Sequence, residues 1–272
     1  MLPSLLSPNK LKKILTTSNN FYDKFRIVEA NLGPNKEAYK NAHIDKAIFI
    51  DTLECSDSNH MYPRNVPKPD CFKDYVGSLG IGNKHHLILY DRSPFGFYTS
   101  SRLWWVFRLF GHESVSILDG GLRLWAYQNN PLSREEPDFK PDKFEIKENM
   151  QLIRTYEDIQ TNLNTNKDQV VDVRGAHEFN RYIDEGLLNH IPKSKNLAYN
   201  DLFDKENLKL KDIEELKKLF EESKVDLSKP LIASCMTGMT ACSLAFAAHL
   251  LGKSDVPVYY GSWTEYSQRR NN

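Results

Sequence analysis

Short apolar runs recur along the chain and alternate with longer stretches of helical spacing. In the first half the runs lie at residues 26–30, 87–91 and 115–118, and in the second half at 169–173, 231–235 and 256–259. Runs of four or five residues that are apolar almost throughout are typical of strands covered on both faces of a parallel sheet. Helical segments lie between them: Ile213, Leu216, Leu219 and Phe220 form one apolar stripe, and Gly252 occupies a C-cap position. The pattern predicts an α/β fold.

The order of these segments is repeated, which indicates an internal duplication. Each half has a strand, a His-Ile pair (His43 and His190 begin them), a second strand, a helix ending in Gly, a third strand and a Gly-Trp element. In this alignment Gly121–Trp125 corresponds to Gly261–Trp263. The repeat predicts two tandem domains, residues 20–130 and 164–272, each a parallel sheet flanked by helices. Prolines among dense charges mark residues 131–163 as the linker.

Composition excludes several classes of protein. Lys plus Arg (36) balance Asp plus Glu (36), so no overall field attracts nucleic acid, and no apolar run is long enough for a membrane span. Four cysteines without C-x-x-C spacing predict neither a disulfide framework nor a zinc site, and we expect no metal or cofactor. Residues 1–22 carry lysines but no acid, which fits a mitochondrial presequence or an N-terminal helix over 9–15. We expect a reducing compartment, mitochondrial or cytoplasmic.

The segment 231–242 carries the strongest chemical signal. It has the pattern of a strand, a tight loop containing Gly238, and a helix, and Cys235 ends the strand. Ligands of open α/β folds bind at the carboxyl edge of the sheet, where this thiol is expected to lie. Backbone amides of the loop, backed by the helix N-terminus, favour thiolate over thiol. Cys235 is therefore the predicted nucleophile.

The sequence around these cysteines bears on two other interpretations. Cys242 lies in the apolar helix that follows, where packing explains a small buried thiol without any chemistry. A cysteine phosphatase would need an Arg six residues after the nucleophile to hold the phosphate, but Ala241 occupies that position. Transfer of a sulfur atom needs only amide donors and a hydroxyl, so it fits the loop better.

Several motifs together resemble the two-domain rhodanese family of thiosulfate and 3-mercaptopyruvate sulfurtransferases. In the second half these are Cys235-Met-Thr-Gly-Met-Thr-Ala-Cys242, Asp172-Val-Arg174, His190-Ile-Pro192 and Tyr260-Gly-Ser-Trp263. In the first half they are Phe72-Lys-Asp-Tyr-Val-Gly-Ser-Leu-Gly80 and the stretch from Arg102 to Gly121. Asp91 falls at the position equivalent to Cys235. The resemblance therefore implies a noncatalytic first domain and a catalytic second one.

The resemblance also implies roles for individual residues. Cys235 would carry a persulfide, Thr237 would offer its hydroxyl to the donor or persulfide, and Asp172 would brace the Cys235 loop. Arg174 would pair with a carboxylate such as Glu178; for Asp172 and Arg174 a purely structural ion pair is the alternative. The residues expected to contact the sulfur donor are Met236, Gly238, Met239, Thr240, Arg174 and Arg181.

Departures from the family pattern bear on the donor. Glu178 stands where an anion-holding Arg is usual, so Arg181 is expected to substitute for it, and Leu53 stands where mercaptopyruvate enzymes carry an acid. Met236-Thr237 lacks the cations of thiosulfate-type loops, which favours 3-mercaptopyruvate as donor. The implied partners are a small anionic donor and an acceptor such as thioredoxin, a small thiol or cyanide. The alternative functions are a noncatalytic sulfur carrier and a redox-sensing binding module.

Overall fold

The structure is a computed structural model and describes residues 2–18, 20–184 and 187–270. The chain divides into two compact units. The first comprises Met1–Ser56, Pro67–Asn149 and Lys205–Leu210, and the second comprises Asp57–Val66, Met150–Asp204 and Lys211–Asn272. Ten residues from the first half of the sequence, Asp57–Val66, thus belong to the second unit. The described residues contain no helix long and apolar enough to cross a membrane.

The first unit is built on a parallel sheet of five strands in the order β1-β5-β4-β2-β3. The strands are β1 Leu5–Leu6, β2 Phe25–Asn31, β3 Ile48–Asp51, β4 His86–Tyr90 and β5 Val115–Leu118. The helices are α1 Pro8–Thr17, α2 Phe21–Lys24, α3 Glu37–Asn41, α4 Pro69–Ser78, α5 Ser100–Leu109 and α6 Gly121–Tyr127. One core cluster is centred on Ile27, Ile88 and Leu118, which lie on three of the strands and are fully buried.

The second unit repeats this plan with a parallel sheet in the order β10-β7-β13-β14-β6. The strands are β6 Ile153–Arg154, β7 Gln169–Asp172, β8 Tyr182–Asp184, β9 Leu187–Leu188, β10 Lys195–Asn196, β11 Phe203–Asp204, β12 Lys209–Leu210, β13 Leu231–Ser234 and β14 Val258–Tyr259. Of these, β12 belongs to the first unit. The helices are α7 Tyr156–Thr165, α8 Ala176–Phe179, α9 Ile213–Glu222, α10 Ala241–Leu250 and α11 Ser262–Arg269, with short 3₁₀ turns at Met150–Leu152 and Tyr199–Leu202. Two parallel sheets flanked by helices confirm the α/β prediction.

The predicted linker, residues 131–163, contains regular structure near its end. Strand β6 pairs with β14, and helix α7 begins at Tyr156. Thr155 and Asp158 form a capping box at the start of α7, and Ile159 is fully buried in the core. The second unit therefore resumes at residue 150, whereas residues 131–149, which carry the prolines and most of the charges, contain no helix or strand and belong to the first unit.

Two expectations about the N-terminus and the cysteines are revised. A helix does form near the N-terminus, but it extends over Pro8–Thr17 with Ser7 as its N-cap, beyond the predicted 9–15. Cys55 and Cys71, which the sequence did not pair, form a disulfide with Cα atoms 5.5 Å apart. Their spacing is not a recognisable motif, and only the approach of α4 to the end of β3 brings them together. Cys235 and Cys242 are buried and form no disulfide within the described part of the chain.

Candidate active site

Cys235 directly follows β13, which lies at the centre of the second unit's sheet between β7 and β14. Helix α10 begins at Ala241, so a loop of residues 235–240 connects the strand to the helix, in the order that the sequence predicted. The thiol therefore lies at the carboxyl edge of a parallel sheet. The residue is only 2% exposed, so a reacting sulfur is surrounded mainly by protein groups.

The loop brings a backbone donor to the sulfur. The amide of Gly238 donates to Cys235 Sγ over 3.1 Å. Gly238 has a φ of +79°, and a Cβ there would lie 2.5 Å from the carbonyl oxygen of Tyr260. Glycine is thus required both by the backbone conformation and by the close packing of the loop on Tyr260. A donor fixed in this way stabilises negative charge on the sulfur.

The first turn of α11 holds the other side of the loop. The amide of Cys235 donates to Ser262 Oγ over 3.1 Å, and Ser262 Oγ in turn donates to the carbonyl of Tyr259 over 2.7 Å. Two amides of α11 donate to loop carbonyls: Trp263 to Cys235 and Thr264 to Met236, both over 3.0 Å. These bonds fix the backbone on which the sulfur is carried.

The first unit has the same architecture without a nucleophile. Asp91 follows β4 as Cys235 follows β13, and its carboxylate accepts hydrogen bonds from the amides of Ser93, Thr99 and Ser100 at 2.7–2.9 Å. The donors at the loop and at the start of α5 are therefore already occupied by a protein carboxylate.

The two units also correct the alignment of the repeat by one residue. The amide of Leu122 donates to the Asp91 carbonyl over 3.0 Å, as that of Trp263 donates to Cys235. Gly121 therefore corresponds to Ser262, and both have positive φ, +53° and +50°. A serine in this left-handed conformation is unusual, and such strain is concentrated at functional sites. Sequence reasoning missed Ser262; the signal available was a serine where the repeat has glycine.

Asp172 and Arg174 form a buried ion pair. Arg174 Nη2 lies 2.6 Å from Asp172 Oδ2 and donates also to the carbonyl of Asn189, and its guanidinium lies 5.1 Å from the Trp263 ring centre. The expected pairing of Arg174 with Glu178 is therefore wrong. Asp172 is the register partner of Ser234, but its carboxylate is occupied by Arg174 where we expected it to brace the Cys235 loop. The pair thus ties the end of β7 to the segment at Asn189.

The other predicted loop residues differ in accessibility. Met236 is exposed, Thr237 and Thr240 are half-buried, and Met239 is buried, with its carbonyl accepting from the amide of Cys242. The Thr237 hydroxyl makes no hydrogen bond within the described chain, so it is available to a ligand. Cys242 is fully buried in α10, as the packing interpretation requires.

Arg181 lies after α8 and is exposed. Its Nη2 atom is 3.7 Å from Glu178 Oε2, a separation at which a solvated ion pair holds the side chain only weakly. Glu178 also accepts from Asn189 Nδ2. Arg181 therefore remains a candidate for donor binding.

The described residues include no group of three or more His, Cys, Asp or Glu side chains arranged to hold a metal ion.

Comparison with known proteins places this geometry in context. A family model described as a rhodanese-like domain matches residues 7–128 and again residues 155–269. The chain is 43% identical over 238 residues to human 3-mercaptopyruvate sulfurtransferase, covering 86% of this chain and 80% of that protein. It is 40% identical over 245 residues to mouse thiosulfate sulfurtransferase, with the same two coverages, 86% and 80%.

Solved structures agree with the sequence comparisons. The 3-mercaptopyruvate sulfotransferase SseA from Escherichia coli superimposes with a TM-score of 0.83 at 28% identity, covering 96% of this chain and 99% of that one. The Tum1 protein from Saccharomyces cerevisiae has a TM-score of 0.83 at 24% identity and covers 98% of this chain and 96% of that one. The second likeness is one of fold.

Proposed function

The chain belongs to the two-domain rhodanese family and is a sulfurtransferase, and on that premise we propose that it moves a sulfane sulfur through a Cys235 persulfide. The donor is 3-mercaptopyruvate or thiosulfate, and the acceptor is a thiol, such as thioredoxin or a small thiol, or cyanide. The observation that carries the proposal is the Gly238 amide, 3.1 Å from Cys235 Sγ at the end of the central strand.

The first step is a displacement on sulfur. The Cys235 thiolate attacks the outer sulfur of the donor, forming an S–S bond while the bond between that sulfur and the rest of the donor breaks. With thiosulfate the leaving group is sulfite; with 3-mercaptopyruvate the electron pair goes to carbon, which takes a proton to give pyruvate. The fixed amide of Gly238 suits the charged sulfur throughout. Thr237 supplies a hydroxyl to the donor or to the persulfide.

The second step returns the enzyme to its starting state. A thiolate or cyanide attacks the outer sulfur of the persulfide, the S–S bond breaks, and Cys235 leaves as thiolate. Dividing the transfer into two displacements predicts ping-pong kinetics. Both donors and both leaving groups are anions, so a cation that binds them is expected near Cys235. We propose Arg181 as this cation.

Mass spectrometry of the intact protein tests the proposal. Donor treatment should add one sulfur to the wild type and to Cys242→Ser, but none to Cys235→Ser. An adduct that survives in Cys235→Ser and disappears in Cys242→Ser would show that the other thiol reacts. Steady turnover with an acceptor separates the enzyme from a noncatalytic sulfur carrier, which would take up one sulfur and stop. A redox sensor would require peroxide before Cys235 changes in mass.

A further inference from the structure

The segment Asp57–Val66 belongs to the second unit although the chain on both sides of it, up to Ser56 and from Pro67, belongs to the first. We refer to residues 57–66 as the strap. Within the strap, Asn59 accepts hydrogen bonds from the amides of Met61 and Tyr62, and the Asn65 side chain donates to the carbonyl of Asp57. The strap is thus an ordered turn that presents Tyr62.

Tyr62 makes two contacts with other residues of the second unit. Its hydroxyl donates to Glu265 Oε1 over 2.5 Å, and its ring stacks on that of Tyr260 with centroids 5.4 Å apart and planes at 24°. Burial, followed by the hydrogen bond to Glu265, raises the pKa of Tyr62 above its ordinary value. The hydroxyl is therefore a permanent donor at physiological pH.

Glu265 is a buried carboxylate in the first turn of α11, only 1% exposed. Its Oε1 atom also accepts from Arg269 Nη1 over 2.8 Å, and the carboxyl lies directly against Gly261, where a Cβ would be 2.0 Å from Oε2. A buried carboxylate depends on its few hydrogen-bond donors for compensation of lost solvation. Tyr62 supplies one of them from outside the helix.

Both partners of Tyr62 are elements that hold the reactive loop. Tyr260 is the residue against which Gly238 packs, and α11 donates its first amides to the carbonyls of Cys235 and Met236. A shift of Tyr260 or of the first turn of α11 moves the loop backbone, and with it the distance from the Gly238 amide to the sulfur. Tyr62 therefore acts on the position of the sulfur indirectly, through its contacts with Glu265 and Tyr260.

We propose that Tyr62 is a positioning residue for the sulfur-transfer loop, acting through Glu265 and Tyr260 to hold the Gly238 amide on Cys235 Sγ. The effect on sulfur transfer rests on the proposed function. The effect of the strap on the reactivity of the Cys235 thiol does not depend on that function. The strap then belongs functionally to the catalytic unit, although its residues come from the noncatalytic half of the sequence.

The test uses Tyr62→Phe in the full chain, which removes the hydroxyl but keeps the ring on Tyr260. We expect the single-turnover rate of persulfide formation to fall roughly fivefold with little change in donor affinity, because orientation is lost and no donor contact is removed. The matched control is Tyr22→Phe in the first unit, whose hydroxyl donates to the Asp45 carbonyl over 3.3 Å; it should leave these constants unchanged.

A second measurement needs no sulfur donor. The rate of iodoacetamide labelling at Cys235, followed by peptide mass spectrometry across pH, should have its midpoint moved upward by about half a pH unit in Tyr62→Phe, since a displaced amide stabilises thiolate less. Combining Tyr62→Phe with Glu265→Ala should add little to the larger single effect, because each change removes one partner of the same hydrogen bond.

Wild-type turnover and an unshifted labelling curve in Tyr62→Phe would overturn the proposal. So would a loss of donor affinity at constant single-turnover rate, which would make Tyr62 a donor-binding residue. If the wild type itself forms no persulfide, the proposed function fails, whereas the labelling curves of wild type, Tyr62→Phe and Tyr22→Phe still decide the role of Tyr62.

Discussion

Ser262 accepts a hydrogen bond from the backbone amide of Cys235, the proposed nucleophile, through its Oγ atom at 3.1 Å, and has a φ of +50°. The equivalent residue of the first unit is Gly121, at +53°. The second unit thus has a serine, whose side chain can accept a hydrogen bond, where the first unit has glycine, the residue that adopts positive φ most easily. The presence of serine here implies that the hydrogen bond outweighs the cost of the left-handed backbone conformation.

Replacing Ser262 tests the two contributions separately. Ser262→Ala leaves a buried amide without its acceptor and keeps the unfavourable backbone, so the free energy of unfolding should fall by about 1–3 kcal/mol. Ser262→Gly loses the same acceptor but relieves the backbone, so it should be less destabilised by ~1 kcal/mol. Urea unfolding of the three proteins measures the order. A glycine variant no more stable than the alanine variant would contradict the assigned strain.

Arg181→Ala should raise the apparent KM for the donor several-fold with little change in kcat, since a cation that holds the donor's anion supplies uniform binding. Glu178→Gln removes the carboxylate 3.7 Å from Arg181 and should lower KM, because the guanidinium is then less compensated. Arg123→Ala, a change of an exposed arginine in the first unit, is the control. Unchanged KM values in both Arg181→Ala and Glu178→Gln would exclude this role.

We expect 3-mercaptopyruvate to be a better donor than thiosulfate. No Lys or Arg lies between Cys235 and Thr240, and a compact dianion depends more on fixed positive charge than a monocarboxylate does. The double variant Met236→Arg, Thr237→Lys should therefore shift relative kcat/KM toward thiosulfate. A wild-type preference for thiosulfate of tenfold or more, equivalent to ~1.4 kcal/mol in the transition state, would refute the charge argument.

The disulfide between Cys55 and Cys71 closes a loop with a sequence separation of 16 that includes the strap. Closing a loop of this length restricts the unfolded chain, so Cys71→Ser should lower the free energy of unfolding by up to ~3 kcal/mol. Reduction of the wild type with dithiothreitol should have the same effect. The reductant should not affect Cys71→Ser further, and an equal loss in both proteins would show that the disulfide is not its target.

Protonation of His85 should lower the free energy of unfolding at acid pH. Its Nδ1 atom accepts from the Gly82 amide over 2.9 Å, and burial, followed by the charge of Arg26, lowers its pKa to about 4. The unfolded chain therefore binds a proton at His85 more readily than the folded chain does. The contribution of neutral His85 to the free energy of unfolding is complete above pH ~6.5 and is lost as pH falls toward 4.

The matching variant is His85→Asn, which places an acceptor near the position of Nδ1 but does not titrate. Between pH 6.5 and 4 the wild type should lose up to ~3 kcal/mol more of its unfolding free energy than the variant. Chemical unfolding at closely spaced pH values measures the two slopes. Parallel slopes would show that His85 does not contribute to acid sensitivity.

Local and repeated features of the chain were decided by the sequence alone. Buried parallel strands require uninterrupted apolar runs, so β2, β4, β7 and β13 could be located, and their repetition predicted two α/β halves. The position of Cys235 at the end of a strand could be predicted because a strand, a glycine loop and a helix follow one another in adjacent residues. The contrast with Asp91 was equally visible, since it depends only on the alignment of the two halves.

Contacts between residues distant in sequence were decided only by the tertiary structure. The Ser262 acceptor and the Cys55–Cys71 disulfide depend on backbone distances that no local pattern encodes. The strap is the clearest case, because residues 57–66 pack with a unit whose other residues begin at 150. The chain has 13 tyrosines, and the sequence does not show which of them meets Glu265. Packing decides that it is Tyr62, whose hydroxyl donates to the buried Glu265 carboxylate.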